Sequence, residues 1–431
     1  MFFHGTIKNI GFISTRFQGT DGVTLETEKW EAVLRELGYR TFYFAGLCDK
    51  PRSVSMTDPL AFWETPAIKR VQAGCFNVFV RERRVTERIK AIAGRLKRKL
   101  YAFVRRFKID LVIIENALSI PLNIPLGVAI TEFIAETGLP AIGHHHDLYW
   151  ERQRFIVNAV NDYLKMAFPP SLPSMQHVVI NSQSQKDLGY RRGLNTELIP
   201  NVYDFSVGPP GMDRYNKTLR ADLGLNDDDI FILQPTRVIA RKGIEHSIEL
   251  VARLENPKAR LVITHQTKDE GKEYLKRVRS YAELLGVDLI IRPDIVGHKR
   301  AQRPEGGKIY ALADLYANAD LVTYPSTYEG FGNAFLEAIY FKKPLFVNRY
   351  SIYQRDIEHL GFDVVTMETF IDDHVVEEVR RLLEDKKRQR KMTELNFSLG
   401  KKYFSYTILK EHLKTLLIRF QGNVGVNGHG P

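Results

Sequence analysis

The sequence predicts an α/β protein with two Rossmann-like domains, and three observations lead to this prediction. The chain has 431 residues, too many for one ordinary domain and enough for two of about 200 residues each. Short apolar, β-branched runs alternate with stretches at helical spacing, which is the pattern of parallel sheets joined by crossover helices. The pattern stops at 202–229, a segment rich in Gly, Pro, Asp and Asn, and then starts again.

The strands are predicted from the apolar runs. In the first half they are 10–14, 41–46, 111–115, 141–144 and 177–181. In the second half they are 230–235, 260–264, 288–292, 321–325 and 344–348. Several are apolar almost throughout, as strands covered on both faces are, and helical spacing follows at 25–37 and 243–254. We therefore place a first domain at 1–205, a second at 206–403 and a disordered tail at 421–431.

Composition indicates the setting in which the chain works. Cys48 and Cys75 are the only cysteines, too few for a disulfide framework. We find no secretory signal and no apolar run of about 18 residues or more, so we expect a cytoplasmic protein without a membrane span. The net charge of +11 suggests anionic partners, such as nucleotides and phosphorylated or carboxylated substrates.

The segment 320–339 carries the strongest signal of a site. A strand that ends near residue 325 is followed by a loop with Glu329, Gly330 and Gly332, and a helix begins near Asn333. Glycines let the backbone approach a ligand closely, and the helix N-terminus offers unpaired amides and a positive dipole end. The segment is typical of a phosphate site, with Glu337 about one turn into the helix.

A second segment, 232–243, places two cations between a strand and a helix. Arg237 offers phosphate a planar fork, and Lys242 offers a point charge. Each charge-assisted hydrogen bond contributes about 1.5–3 kcal/mol. Alone, these would be ordinary charges at a helix start, but beside the glycine loop they predict neutralisation of a departing diphosphate without a metal.

Glu329 and Glu337, with seven residues between them, resemble the paired glutamates of the retaining glycosyltransferases of family 4. Arg237 and Lys242 match that family's diphosphate-binding pair, and the similarity covers roughly residues 10–417. The resemblance implies the GT-B architecture, two facing Rossmann-like domains with the active site between them. It also implies that the last helix, 404–420, returns to complete the first domain.

The resemblance further implies roles for the donor-side residues. Glu337 would bond the donor ribose, and Glu329 would lie beside the transferred sugar and its phosphate. The loop residues that would line the sugar and phosphates are Gly330, Phe331, Gly332 and Asn333. The sequence departs from the family at Thr236, where glycine usually precedes the arginine, so the local backbone conformation is left open.

In the first domain, the sequence Gly-Thr-Asp-Gly at 19–22 precedes a helix that begins near residue 23. It resembles the family's first glycine loop, which faces the donor diphosphate and the acceptor. By that resemblance Gly22 contacts the substrates and Asp21 contacts an acceptor hydroxyl. The alternative is a simple Asp-Gly turn.

Three histidines and an aspartate at 144–147 end the fourth predicted strand. Neighbouring residues of an extended chain point to opposite sides, so the three histidines cannot easily face one metal ion, and we identify no further ligands. The resemblance places a histidine here beside the transferred sugar. We assign that role to His146, oriented by Asp147, with His144 as one alternative and purely structural histidines as the other.

The acceptor pocket is predicted around the same strand end. Besides Asp21 and Gly22, the residues assigned to it are His144, His145, Trp150 and Arg152. The segment 81–108 holds twelve Lys or Arg, and an apolar stripe at helical spacing predicts an amphipathic helix. A crossover helix with a solvated basic face is one interpretation, and contact with an anionic membrane or acceptor is the other.

We therefore predict a metal-independent, retaining transfer of a hexose, mannose or glucose, from a GDP- or UDP-sugar to an acceptor hydroxyl. Arg237 and Lys242 would stabilise the leaving diphosphate, while Glu329 and His146 would steady an oxocarbenium-like sugar. The acceptor is expected to be a small anionic solute, such as a glycerate derivative, with a membrane lipid or polysaccharide precursor as the alternative. A basic nucleic-acid-binding protein is the non-enzyme alternative, although we recognise no nucleic-acid module. The oligomeric state stays open.

Overall fold

The computed structural model describes residues 6–19, 21–264, 272–303 and 306–422. The chain forms two compact units, and it passes from one to the other after Asn201 and again after Ser405. The first unit comprises Met1–Asn201 with Tyr406–Pro431, and the second comprises Val202–Ser405. Each unit contains a parallel sheet with its own buried core.

The first sheet has seven parallel strands. In spatial order they are Ser55–Thr57, Arg40–Ala45, Asn9–Ile13, Leu111–Glu115, Ala141–His145, Met175–Val179 and Thr196–Leu198. The strands at Asn9–Ile13, Leu111–Glu115 and Ala141–His145 are buried at every position, which explains why their sequences are apolar without alternation.

The second sheet has six parallel strands. In spatial order they are Leu289–Ile291, Ala259–Ile263, Ile230–Gln234, Leu321–Tyr324, Leu345–Asn348 and Val365–Met367. Short strands outside the two main sheets are Arg16–Phe17, Leu47–Cys48, Val296–Gly297, Ala301–Gln302 and Lys308–Ala311.

Helices connect the strands of each sheet. In the first unit they are Gly22–Glu36, Pro66–Ala73, Arg83–Phe107, Ile124–Thr137, Asn161–Ala167, Ser182–Arg192 and Tyr406–Gly422. In the second they are Leu219–Asp222, Ile244–Leu254, Lys272–Leu284, Leu312–Asn318, Asn333–Tyr340, Asp373–Glu384 and Lys386–Tyr403. Local sequence sets their ends: Asn123 caps Ile124–Thr137, and Gly138 ends it at φ 62°.

The order of the strands indicates where each sheet binds its ligand. We number the strands of each sheet by their order along the chain. In both sheets the spatial order is then 3-2-1-4-5-6, which is the Rossmann arrangement, and the first sheet adds a seventh strand at its end. Ligands of such sheets bind at the carboxyl ends of the first and fourth strands, where the order reverses. In the second unit these strands end at Gln234 and Tyr324, and in the first at Ile13 and Glu115.

The predicted boundaries need three corrections. Residues 404–405 belong to the second unit, since the last helix begins at Tyr406 and not at residue 404. Residues 202–205 belong to the second unit, because the rings of Tyr203 and Phe205 pack against Tyr340 at centroid distances of 4.4 and 5.8 Å. The last helix, Tyr406–Gly422, extends into the segment predicted to be a disordered tail. The rest of that tail lies outside the described residues.

The last helix packs within the first unit. Its side chains Leu409, Leu413, Leu416 and Leu417 are buried. Lys410 forms an ion pair with Glu36 at 2.5 Å, and Arg419 forms one with Glu197. Over the stretches that the structure describes, no helix combines the length and apolar character that crossing a membrane requires.

Candidate functional site

In the second unit, the loops after the first and fourth strands are held together by backbone contacts. The amide of Thr327 donates to the carbonyl of Arg241 at 2.9 Å, and the side-chain amide of Gln234 donates to the carbonyl of Lys242 at 3.0 Å. Gly243 has φ 58°, and a Cβ there would lie 2.3 Å from the carbonyl oxygen of Pro325. The two predicted motif segments therefore meet, as the strand order requires.

Glu329 is the centre of this site. Its Oε1 accepts a hydrogen bond from Lys242 Nζ, and its Oε2 accepts one from Arg241 at 2.9 Å. Lys242 and Glu329 are both buried, with exposed fractions of 9% and 7%. The sequence motif paired Lys242 with Arg237, and the structure adds Arg241, which bonds Glu329. Arg237 is exposed, and its positive charge acts on Lys242.

The charges of this pair depend on each other. Burial acts to raise the pKa of Glu329, but Lys242 and Arg241 outweigh burial, so the pKa is lowered and the carboxylate form is favoured. Burial lowers the pKa of Lys242, and the nearby arginines lower it further, although Glu329 opposes them. The site therefore holds a surplus of positive charge around one carboxylate.

The glycine loop leads directly into a helix. Gly332 has φ 122°, and a Cβ there would lie 2.5 Å from the hydroxyl oxygen of Tyr350. The helix Asn333–Tyr340 begins at the next residue, with Asn333 partly exposed at its start and Gly330 partly exposed in the loop. A helix N-terminus therefore follows the glycine loop, and its binding of phosphate stays a prediction.

Phe331 and Glu337 differ in how they can act. The Phe331 ring is buried against Phe404 at a centroid distance of 5.2 Å, which leaves its backbone to line the sugar and phosphates, and this role stays a prediction. The carbonyl oxygen of Phe331 accepts from Tyr350 at 2.7 Å. Glu337 is partly exposed and accepts a hydrogen bond from the Tyr316 hydroxyl at 2.9 Å.

In the first unit, a carboxylate on one strand meets two histidines from the next. Glu115 Oε2 lies 3.0 Å from His144 Nδ1 and 3.1 Å from His146 Nε2. Only the His146 contact has hydrogen-bond geometry. Glu115, His144 and His146 are buried, with exposed fractions of 0, 1 and 7%. His144 stacks on Trp30 at a centroid distance of 4.2 Å.

Burial and neighbouring charges shift the pKa values of these three groups in different directions. Complete burial acts to raise the pKa of Glu115, but His144 and His146 outweigh it and lower the pKa to about 2. Burial acts to lower the pKa of His146, yet the hydrogen bond and charge of Glu115 raise it above its ordinary value. Burial wins at His144, whose pKa is lowered.

Glu115, His144 and His146 could also hold a metal ion, since one ligand atom from each lies within 4.8 Å of the others. Alternate residues of the strand face the same side, so two of the three histidines share Glu115. From the sequence alone we identified no further ligand, because Glu115 lies about 30 residues earlier on a neighbouring strand. Independence from metals stays a prediction.

His145 points to the other side of the strand. Its Nδ1 lies 2.5 Å from Ser119 Oγ, and its Nε2 lies 2.9 Å from His177 Nδ1. All three side chains are buried. The assignment of His145 to the acceptor pocket is therefore wrong, because alternation along the strand turns it into the core.

The remaining predicted acceptor residues form local contacts. Asp147 accepts a hydrogen bond from Arg152 at 2.6 Å, so Glu115 and not Asp147 orients His146. The Trp150 indole donates to Asp187 at 3.2 Å. Both Trp150 and Arg152 are partly exposed.

Asp21 is the N-cap of the helix Gly22–Glu36. It accepts from the amide of Thr24 at 3.2 Å and from Arg16 at 2.7 Å. Asp21 is thus a helix cap and not a simple Asp-Gly turn, and its contact with an acceptor hydroxyl stays a prediction. Gly22 is exposed at the helix start, where an anion can approach.

Two units of Rossmann strand order, with cations and paired glutamates at the edge of the second sheet, define a glycosyltransferase of the GT-B class. The family model described as glycosyl transferases group 1 matches residues 306–396. With the full-length relatives below, it shows that the chain belongs to this glycosyltransferase family.

Mannosylglucosylglycerate synthase of Petrotoga mobilis is 34% identical over 387 residues, 83% of this chain and 86% of the relative. The protein of the same name from Thermotoga maritima is 31% identical over 426 residues, 91% of this chain and 96% of the relative. The structure of sucrose-phosphate synthase from Thermosynechococcus elongatus matches with a TM-score of 0.66 at 14% identity, covering 96% of this chain and 100% of that chain. It shares the fold.

Proposed function

We propose that this enzyme transfers a mannosyl group from GDP-mannose to a hydroxyl of a glucosylated glycerate, with retention of configuration and without a metal. The full-length similarity to two proteins named mannosylglucosylglycerate synthase carries this proposal. The net charge of +11 supports an anionic acceptor, because a positive surface attracts a carboxylate.

The donor diphosphate would bind at the edge of the second sheet. Lys242 and Arg241 lie together there, and the charge of Arg237 acts on the same place. The N-terminus of the helix Asn333–Tyr340 adds the positive end of its dipole. As the sugar–phosphate bond breaks, negative charge grows on the leaving phosphate, and fixed cations stabilise it more than they stabilise the intact donor.

Other roles follow from the family resemblance. Glu337 would bond the donor ribose, and Glu329, held by Lys242 and Arg241, would lie beside the sugar. His146 would contact the transferred sugar from the first unit. The leaving phosphate would take the acceptor proton during attack on the same face of the sugar.

A donor and acceptor screen tests the proposal. Purified protein is mixed with GDP-mannose, GDP-glucose, UDP-glucose or UDP-mannose, and the melting temperature is recorded, since a ligand that binds the folded state stabilises it. Each donor is then incubated with glycerate, glucosylglycerate or glucose, with and without EDTA. We expect the largest thermal shift with GDP-mannose and product only with glucosylglycerate, unchanged by EDTA.

Two results would contradict parts of this proposal. Transfer to glucose or to lipid extracts but not to glucosylglycerate would remove the acceptor assignment. Activity abolished by EDTA and restored by magnesium would remove metal independence, because the donor site would then need an ion as well as Lys242 and the arginines.

A further inference from the structure

Arg16 is a cation at the ligand-binding edge of the first sheet, and the function proposed above does not use it. It follows the first strand of that sheet, Asn9–Ile13, whose carboxyl end lies where the strand order reverses. The short strand Arg16–Phe17 pairs with Leu47–Cys48, which follows the second strand, so the backbone is held at this position. Arg16 is therefore fixed at the edge where ligands of this fold bind.

The side chain of Arg16 is held from two directions. Its Nη2 donates a hydrogen bond to Asp21 Oδ2 at 2.7 Å, and the central carbon of its guanidinium lies 4.9 Å from the ring centroid of Trp63. The exposed fraction of the side chain is 23%, so it is neither buried in the core nor spread on the surface. A guanidinium that is oriented in this way loses little conformational entropy when it binds a ligand.

Most hydrogen-bond donors of Arg16 are not used by the fold. A guanidinium has five N–H groups, and among the residues that the structure describes only Asp21 accepts a hydrogen bond from this one. Arg81 in the same unit has a similar exposed fraction, 18%, but donates through all three of its nitrogen atoms, to Thr86 and to both oxygens of Asp162. Arg81 is thus saturated by structural contacts, whereas Arg16 can still bind an anion.

Asp21 orients Arg16 without cancelling the positive charge of the surroundings. Its Oδ1 accepts from the amide of Thr24 at 3.2 Å, and its Oδ2 also accepts from the hydroxyl of Thr24 at 2.8 Å. Asp21 therefore caps the helix Gly22–Glu36, whose N-terminus is equivalent to about half a positive charge. The carboxylate is shared between this helix end and Arg16, so the three groups together keep a positive surplus.

We propose that Arg16 binds the carboxylate of the acceptor and thereby selects an acidic acceptor over a neutral one. This inference rests on the function proposed above, whose acceptor is a glucosylated glycerate with one carboxylate. The planar fork of an arginine fits both oxygens of a carboxylate, which gives two parallel hydrogen bonds and a fixed orientation. The acceptor carboxylate takes no part in the bonds that form and break, so Arg16 acts on recognition of the acceptor and not on the chemical step.

The test compares glucosylglycerate with its carboxamide, a neutral compound of nearly the same shape. The ratio of kcat/KM for acid over amide is measured at saturating GDP-mannose in wild type, Arg16→Gln, Arg16→Lys and Arg35→Gln. Arg35 is the control, because it lies in the last turn of the helix Gly22–Glu36 and pairs with Glu31 on the surface of that helix. Each ratio compares two substrates on one protein, so it does not depend on how much of a variant is folded.

Wild type should prefer the acid by about 10- to 100-fold, which is the effect expected of charge-assisted hydrogen bonds. Arg16→Gln should lose this preference because it removes the charge and the fork. Arg16→Lys should retain part of it, since the charge remains but the fork does not. Arg35→Gln should keep the wild-type ratio.

Three results would overturn the inference. The first is a wild-type ratio near one. The second is a preference for the acid that Arg16→Gln retains, and above all one that is lost instead in Arg152→Gln, because the carboxylate would then bind elsewhere. The third is a raised KM for GDP-mannose in Arg16→Gln with an unchanged ratio of acid over amide, which would assign Arg16 to the donor diphosphate.

Calorimetric titration separates this inference from the proposed function, because it needs no transfer. Glucosylglycerate and its carboxamide are titrated into wild type, Arg16→Gln and Arg35→Gln. If wild type transfers mannose to neither compound, the proposed function fails. The carboxylate site still stands if wild type binds the acid more tightly than the amide and Arg16→Gln does not. If wild type shows no such preference in binding, or if Arg16→Gln keeps it, this inference fails as well.

Discussion

At the scale of single residues, the pair Lys242 and Glu329 affects both the stability of the fold and the rate of transfer. A buried ion pair is costly to break from one side, because the remaining charge stays buried without compensation. The same pair holds the lysine at the place where a leaving phosphate would gain charge. Variants here must therefore be judged by stability and by turnover separately.

Lys242→Ala should lower kcat by about 10²–10³-fold, as loss of a fixed electrostatic donor does in other enzymes. Its melting temperature should fall as well, since buried Glu329 loses one of its cationic partners and keeps Arg241. Arg241→Ala should lower kcat as well, because Arg241 forms an ion pair with Glu329. Steady-state kinetics at saturating donor measure this, with the exposed Lys391→Ala as control. Wild-type kcat in Lys242→Ala would remove the assigned role.

The buried histidines His145 and His177 should make stability depend on pH. Burial lowers the pKa of His177 to about 4, and that of His145 is lowered well below its ordinary value. Between about pH 6.5 and 4 the unfolded chain therefore binds more protons than the folded one, and the free energy of unfolding decreases as pH falls. Thermal unfolding from pH 7.5 to 4.5 should show this slope, and it should be shallower in His177→Gln. An equal slope in both proteins would contradict the assignment.

At the scale of elements, the turn before Gly243 decides whether the donor site can form, and the turn at Gly193 in the first unit offers a control. The turn Ala240–Lys242 ends at Gly243, whose positive φ and close approach to Pro325 both exclude a side chain. Gly193 ends the helix Ser182–Arg192 with nearly the same φ, 64°, but no described atom lies within 4 Å of the place where a Cβ would be. A comparison of alanine substitutions at the two glycines therefore separates the cost of backbone strain from the cost of a steric clash.

Gly193→Ala should cost about 1 kcal/mol of stability, the usual cost of a left-handed conformation for alanine. Gly243→Ala should cost clearly more, because the loop must also move away from Pro325, and it should reduce transfer as well because Lys242 is the preceding residue. Chemical denaturation and donor titration measure both effects. Equal losses of stability in the two variants would show that the contact with Pro325 is easily relieved.

The helix Arg83–Phe107 was open to two interpretations. Its apolar stripe is buried in the core of the first unit, from Val85 through Ile89 and Leu96 to Phe103 and Phe107. Only its basic face remains for an anionic surface, although Phe79 and Val80 before it are exposed by 88 and 81%. The burial favours a crossover helix over a membrane-embedded one.

Binding to anionic vesicles should therefore be weak at physiological salt. Each basic residue near such a surface contributes about 1 kcal/mol, and salt screens this attraction. Vesicle sedimentation at low and physiological salt measures it, with Phe79→Ser/Val80→Ser as the variant. Strong binding at physiological salt that this variant abolishes, with transfer only when vesicles are present, would make a lipid acceptor the better proposal.

Strand prediction succeeded where a strand is buried on both faces, because a short, uninterrupted apolar run such as residues 111–114 is typical of a buried strand. It missed the edge strands Ser55–Thr57, Thr196–Leu198 and Val365–Met367. Three residues are too few to show a period, and an edge strand pairs on one side only, so its sequence is less constrained. The helix that the sequence predicts to begin near Asn333 does begin there, directly after its N-cap residue Gly332.

At the scale of the whole molecule, the sequence could place the site but not its contacts. Motif residues stand at the ends of strands, and strand order then brings Lys242 and Glu329 together. The contact of Arg241 with Glu329 depends on a turn of three residues, and Glu115 meets His146 only through pairing of two strands. Neither contact can be recognised from the spacing of residues in the sequence, because each forms only in the tertiary structure.

The product should keep the anomeric configuration of the donor. The family resemblance supports this, with the leaving phosphate and the acceptor on the same face of the sugar. A proton NMR time course with GDP-mannose and glucosylglycerate measures the anomeric signal of the first product, before any equilibration. The opposite anomer appearing first would contradict retention, while leaving the assignment of donor and acceptor intact.

The path of the chain between the units has a consequence for biosynthesis. The first unit is built from Met1–Asn201 and the last helix, which buries Leu409 and Leu413 in it. A ribosome therefore has to produce all of the second unit before the first can be completed, so the usual sequence of N-terminal domain first does not apply. During that interval the nascent first unit exposes the apolar surface that the last helix covers, and it becomes a natural client for chaperones at that stage.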